Sequence, residues 1–143
     1  MRPSRRPAGL QLALTAKAVS RAFSDVLTDA GGSLPTWLVL SSLKEQRRRT
    51  QLDLARAMGI EGPTLTRHLD GLEESGLVER HRDSDDRRAV RVELTEAGER
   101  LHATLLEAAM AFDKRLTAGF GGQQLDDLAQ ALRQLEQNAG SQG

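Results

Sequence analysis

Residues 62–94 read GPTLTRHLDGLEESGLVERHRDSDDRRAVRVEL, and within them the spacing of apolar side chains changes from helical to alternating. Leu65, Leu69 and Leu72 recur at steps of four and three, which predicts a helix over about 62–75. Pro63 suits its first turn, where a missing N–H leaves no hydrogen bond unmade, and Gly76 stops it. Two strands should follow, over 77–82 and 89–94. The second alternates strictly, with Val90, Val92 and Leu94 on one face. Between them lies Asp83-Ser84-Asp85-Asp86-Arg87-Arg88, a polar hairpin loop.

Upstream, Thr50 and Asp53 have capping-box spacing and open a short helix with Leu52, Leu54, Ala55 and Met58 as its apolar members. Gly59 closes it. Pro35 opens another helix, with Trp37, Leu38, Leu40 and Leu43 on its buried side and Arg47, Arg48 and Arg49 at its end. Farther back, Leu10, Leu14, Val19, Phe23, Val26 and Leu27 mark a long amphipathic helix over 10–30, ended by Gly31 and Gly32. Downstream, Thr95 caps a fifth helix along which Leu101, Leu105, Ala109, Phe112 and Leu116 are stacked, and Gly119, Gly121 and Gly122 break it. A last helix carries Leu125, Leu128, Leu132 and Leu135 at steps of three, four and three, a repeat suited to pairing with another helix.

The fold class is therefore mainly α (α+β): a winged helix-turn-helix flanked by long N- and C-terminal helices. The expected organisation is a flexible arm over 1–9, a helical dimerisation lobe from 10–30 and 96–139, a winged helix-turn-helix domain over 33–95, and a tail over 140–143. Leucine ridges on the terminal helices cannot all cover themselves in so small a chain, so a homodimer is expected.

Composition narrows the function. In 143 residues there is no cysteine, which excludes disulfides, thiolate metal sites and thiol redox chemistry. No apolar run approaches the ~20 residues that span a bilayer, and no secretory h-region follows the first arginines; a cytoplasmic protein without membrane partners is expected. The formal net charge is zero, which by itself argues against a nucleic-acid partner. The distribution is uneven, however. Residues 1–21 hold five bases and no acid, whereas eleven bases meet ten acids between Lys44 and Arg91. Any surface for a polyanion must be sorted by face.

Such a face exists on the helix over 62–75. With Leu65 inward, a step of about 100° per residue brings Leu69 and Leu72 within about 40° of it. Pro63, Arg67, Asp70 and Gly71 then point away, Thr64 and Thr66 occupy the shoulders, and His68 lies between the faces as either a packing or a reading residue. Small, hydroxylated and basic, this surface fits the major groove of double-stranded DNA, where arginine engages guanine N7 and O6. An ordinary solvated helix face is the competing reading. Arg87 and Arg88 at the hairpin tip suit an adjacent narrow minor groove, with Asp83 or Asp86 clamping one arginine so that the hairpin keeps its shape.

These pieces resemble the MarR/SlyA family of bacterial transcriptional regulators. The resemblance rests on Gly76-Leu77-Val78-Glu79-Arg80, the wing Asp83-Ser84-Asp85-Asp86-Arg87-Arg88, and Leu94-Thr95-Glu96-Ala97-Gly98, and it extends from Leu10 to about Ala139. It implies major-groove contacts from Pro63, Thr64 and Arg67, a minor-groove arginine at Arg87, and an aspartate-held arginine at Arg88. Asp85 departs from the pattern by standing where the fuller wing motif has arginine. The resemblance further implies a homodimer on a pseudo-palindromic site, often repressing a promoter, and release by a small aromatic or carboxylate effector. Phe23, Trp37 and Phe112 either line a pocket for that effector or pack the core. No cofactor is expected. A metal-responsive winged helix, using His102 with Glu99 or Glu96, and a protein-interaction module remain as alternatives. An enzyme is disfavoured, because the three histidines are scattered and no nucleophile grouping or phosphate-cradling loop stands out.

Overall fold

A computed structural model of the chain describes residues 5–45 and 49–140. In chain order the elements are α1 (Ala8–Asp29), α2 (Leu34–Glu45), β1 (Arg49–Thr50), α3 (Gln51–Met58), α4 (Gly62–Glu74), β2 (Val78–Arg82), β3 (Val90–Leu94), α5 (Glu96–Leu116) and α6 (Gly122–Gly140). They fall into two compact units, Met1–Ala109 and Met110–Gly143. No described helix is long and apolar enough to cross a membrane.

The core of the first unit is aliphatic. Leu27, Val39, Leu40, Leu43, Leu54, Leu65, Leu69, Val92 and Leu105 are fully buried, with Leu72 and Val78 nearly so. Phe23 and Trp37 pack against this cluster. The buried stripe of α2 differs from the expected one: Val39 is inside and Leu38 is 42% exposed. Val39, Leu40 and Leu43 form one face at steps of one and three, and Leu38 falls outside it. Leu52 of α3 is likewise exposed rather than buried.

Local chemistry sets several boundaries. Ser33 starts α2 by accepting the Thr36 N–H at 3.1 Å. Thr50 and Asp53 complete the capping box in both directions, Thr50 Oγ1 receiving the Asp53 N–H at 3.1 Å and Asp53 Oδ2 the Thr50 N–H at 3.4 Å. Gly59 then takes φ 64°, the left-handed conformation that ends α3. Helix α1 begins at Ala8, inside the stretch read as an arm, directly after Pro7 in extended conformation. Helix α2 ends at Glu45; of the three arginines expected at its end, Arg47 and Arg48 lie outside the described residues, and Arg49 belongs to a strand.

The antiparallel sheet has the order β1-β3-β2. In the hairpin Val78 pairs with Leu94, Arg80 with Val92, and Arg82 with Val90. The two-residue β1, which pairs Arg49 with Val92 and Thr50 with Arg91, was not expected. Two residues carry no alternation; this strand exists because β3 has a free edge.

The step from β3 into α5 is tightly built. Thr95 Oγ1 donates to the Gly76 carbonyl at 2.5 Å and accepts the Gly98 N–H at 3.0 Å. A Cβ on Gly98 would stand 2.1 Å from the Leu77 carbonyl oxygen, so only glycine fits. Farther along α5, His102 is 9% exposed, and its ring stacks on Trp37 with centroids 5.3 Å apart and planes 12° apart.

In the second unit Phe112 is buried and Leu116 is 45% exposed, and the Arg115 guanidinium lies 5.7 Å from the Phe112 ring centroid. Helix α6 continues through Gly140, past the expected start of the tail. Its Leu128, Leu132 and Leu135 are exposed by 39–45%.

Candidate nucleic-acid interface

Helix α4 buries Leu65, Leu69 and Leu72 and leaves Pro63, Arg67, Asp70 and Gly71 exposed. Extended backbone at Glu61 leads into it, and Pro63 lies in its first turn. Thr64, Thr66 and His68 are half-buried along its flanks. Among the described residues Arg67 has no ion-pair partner, so its guanidinium is available to a ligand.

The hydroxyl of Thr66 is already engaged. It donates to the Gly62 carbonyl at 3.0 Å and accepts from Gln51 Nε2 at 2.7 Å. The second bond ties the first turn of α3 to the first turns of α4 and sets how α4 projects. Gln51 was not singled out from the sequence; a polar residue just inside a capped helix carries no signal of a partner fifteen positions away.

The wing tip is held by its own acids. Asp83, 8% exposed, meets Arg91 with Oδ1 3.0 Å from Nε and also accepts the Asp85 N–H at 3.2 Å. Hydrogen bonding from Arg91 first, and from the Asp85 N–H second, holds the Asp83 carboxyl below its usual range. Asp86 Oδ1 accepts the Arg88 N–H at 3.0 Å and so caps the turn, while the Arg88 side chain is 98% exposed and only 3.9 Å from the same oxygen. Arg82 Nη1 donates to the Arg87 carbonyl at 2.8 Å. Arg87 and Arg88 therefore project from a tip braced by these bonds, and the arginine that Asp83 grips is Arg91. This partner was legible in principle. His81 pairs with Arg91 across the hairpin, and Asp83, two residues beyond His81, is the diagonal neighbour of Arg91 on the same sheet face.

Arg80 was also passed over as anything more than part of a motif. It reaches from β2 to α4, its Nη2 lying 2.6 Å from Asp70 Oδ1 and 3.1 Å from Glu73 Oε1. Its backbone N–H donates to Glu73 Oε2 at 3.0 Å. Hydrogen bonding to Arg80 holds the Glu73 carboxyl below its ordinary range. The signal lay in the alternation: Arg80 shares a face with Val78, and an arginine at an inward position must meet carboxylates.

The other candidates fare differently. His102, weighed as a metal ligand, is stacked on Trp37, and Glu99 lies 3.8 Å from the Lys44 ammonium. Among the described residues no group of three or more histidine and acidic side chains is arranged to hold a metal ion.

Residues 33–90 match the model of the MarR family. Among similar solved structures, the transcriptional repressor CouR bound to a 23-mer DNA duplex is 27% identical with a TM-score of 0.85, the match covering 91% of this chain and 92% of that one. A MarR-family transcriptional regulator from Rhodococcus sp. RHA1 is 26% identical with a TM-score of 0.80, over 89% and 90% of the two chains. A mutant MarR from E. coli, complexed with operator DNA, shares the fold at 23% identity and a TM-score of 0.83, over 90% and 93%.

Proposed function

We propose that this chain, whose residues 33–90 match the MarR family model, is a sequence-specific, double-stranded-DNA-binding transcriptional regulator. Helix α4 is its recognition helix in the major groove, with Pro63, Thr64 and Arg67 toward the bases and Thr66 and His68 at the flanks. The wing places Arg87 and Arg88 at the neighbouring minor groove, and Asp83 and Asp86 hold its shape. The observation that carries this reading is the pairing of exposed Arg67, on a helix anchored by three buried leucines, with an exposed, internally braced arginine hairpin. Both surfaces suit a duplex: one is narrow and convex for the wide groove, the other pointed and cationic for the narrow groove.

The protein acts in the cytoplasm as a homodimeric repressor on a pseudo-palindromic site, the lobe from 10–30 and 96–139 joining two copies. A small aromatic or carboxylate compound is the expected release signal. Sequencing the duplexes retained by purified protein from a random pool tests the reading. Inverted repeats with half-site centres about one helical turn apart are expected, bound more weakly as salt rises. Retention without enrichment, or affinity insensitive to salt, would overturn it.

A further inference from the structure

Arg80 stands at the junction of the two surfaces assigned to DNA. It pairs across the hairpin with fully buried Val92, and its side chain is only 20% exposed. Its guanidinium nonetheless meets two carboxylates. Nη2 bridges Asp70 Oδ1 at 2.6 Å and Glu73 Oε1 at 3.1 Å, Nε approaches Glu73 Oε2 at 3.4 Å, and the backbone N–H donates to that oxygen at 3.0 Å. A planar fork spanning two carboxylates fixes direction as well as charge, which a lysine ammonium does not.

The clasp continues into the wing. Beyond Arg80, β2 continues to Arg82, whose Nη1 holds the Arg87 carbonyl at 2.8 Å, and the chain then enters the wing at Asp83, which is paired with Arg91. A connected path thus runs from the exposed acids of α4 to the backbone of the wing tip. Asp70 shares the outward face of α4 with Arg67, and unpaired it would repel a phosphate strand.

Building on the DNA-binding reading above, we infer that Arg80 is a positioning residue. It sets the angle between recognition helix and wing so that both engage one half-site together, and it offsets the charge of Asp70, which shares the outward face with Arg67.

Two full-length variants test this against a duplex that wild type retains and an unrelated duplex of equal length. Asp70→Asn with Glu73→Gln opens the clasp from its exposed side and removes two negative charges. Positioning predicts binding to the unrelated duplex at least as tight as wild type, with preference for the retained duplex reduced by about tenfold. It also predicts that methylation protection of guanine N7 in the major groove persists while hydroxyl-radical protection beneath the wing is lost. Arg80→Lys keeps the charge without the fork and should lose the wing protection in the same way.

Preference and both protections unchanged in either variant would overturn the inference. So would joint loss of both protections with a lowered Tm, which would make Arg80 a stabilising residue only. Wild type that retains no duplex would instead remove the DNA reading on which the inference rests.

Discussion

Arg67 and Gly98 illustrate opposite uses of a single residue. Arg67 is exposed and without an ion-pair partner among the described residues, so truncating it should leave the fold alone. Arg67→Ala is expected to keep the wild-type Tm, weaken specific DNA binding by about 1–3 kcal/mol and relax sequence preference at the base it reads, as a binding titration over single-base variants will show. Gly98 has no such freedom, because an added methyl group would overlap the Leu77 carbonyl. Gly98→Ala should lower stability by about 1–3 kcal/mol, measured by denaturant unfolding, through forced backbone movement. His102 adds a pH effect. Burial first, and the nearby Lys44 ammonium second, push its pKa down, with Glu99 opposing. Below the ordinary histidine value of about 6.5, the unfolded chain therefore takes up a proton that the folded ring resists. Stability should be complete above that pH and decline as pH falls beneath it. His102→Phe, which keeps the stack on Trp37, should flatten that part of the profile in thermal melts recorded from pH 7.5 to 5.

At the scale of the element, the wing is an example of shape held by charge. Asp83 and Arg91 are diagonal neighbours on one sheet face, and Asp86 closes the turn through the Arg88 N–H. The contribution of Asp83 is present above the ordinary carboxylate pKa, about 3.9, and is lost as pH falls through the depressed folded value. Asp83→Asn should leave the helical core intact, since Asp83 lies outside the buried apolar cluster. It should loosen the tip, visible as faster amide exchange at residues 84–88, and weaken minor-groove protection while Arg67 contacts persist. Equal exchange rates in variant and wild type would show that the turn holds without the ion pair. The Gln51–Thr66 bond plays the matching part for α4, fastening its first turns to α3.

For the molecule as a whole, the large apolar surface left uncovered is the notable feature. Every residue of α1 from Ala8 to Ala18 is exposed, Leu10, Leu12 and Leu14 among them. In the second unit no residue of α6 is buried, and Leu128, Leu132 and Leu135 form a ridge open to solvent. Leucine ridges of this kind fit the proposed homodimer, in which a second copy covers them. Leu128→Glu with Leu135→Glu is expected to sediment as a monomer at concentrations where wild type is a dimer. Its affinity for the two-half-site duplex should fall by about a hundredfold, because the second half-site is no longer bound at high effective concentration, while single half-site binding stays unchanged. Dimeric sedimentation by the double variant would place the interface elsewhere.

The helices and most of their inward leucines are legible in the sequence, because Leu65, Leu69 and Leu72 obey helical spacing and Thr50, Asp53 and Gly59 form end signals from neighbours in the chain. The hairpin was readable for the same reason: Val90, Val92 and Leu94 alternate. The outward placement of Pro63 and Arg67 followed directly, since a helix anchored on one side must present the other. What escaped notice depended on partners distant in sequence. Strand β1 exists through the free edge of β3, Leu52 and Leu38 are exposed, and Arg80, Gln51 and Arg91 acquire their roles where α3, α4, β2 and β3 converge. Local periodicity is dictated by backbone geometry, which every short segment carries within itself. The choice of partner for a long polar side chain is decided by which elements the buried leucines bring together, and that is a property of the folded chain alone.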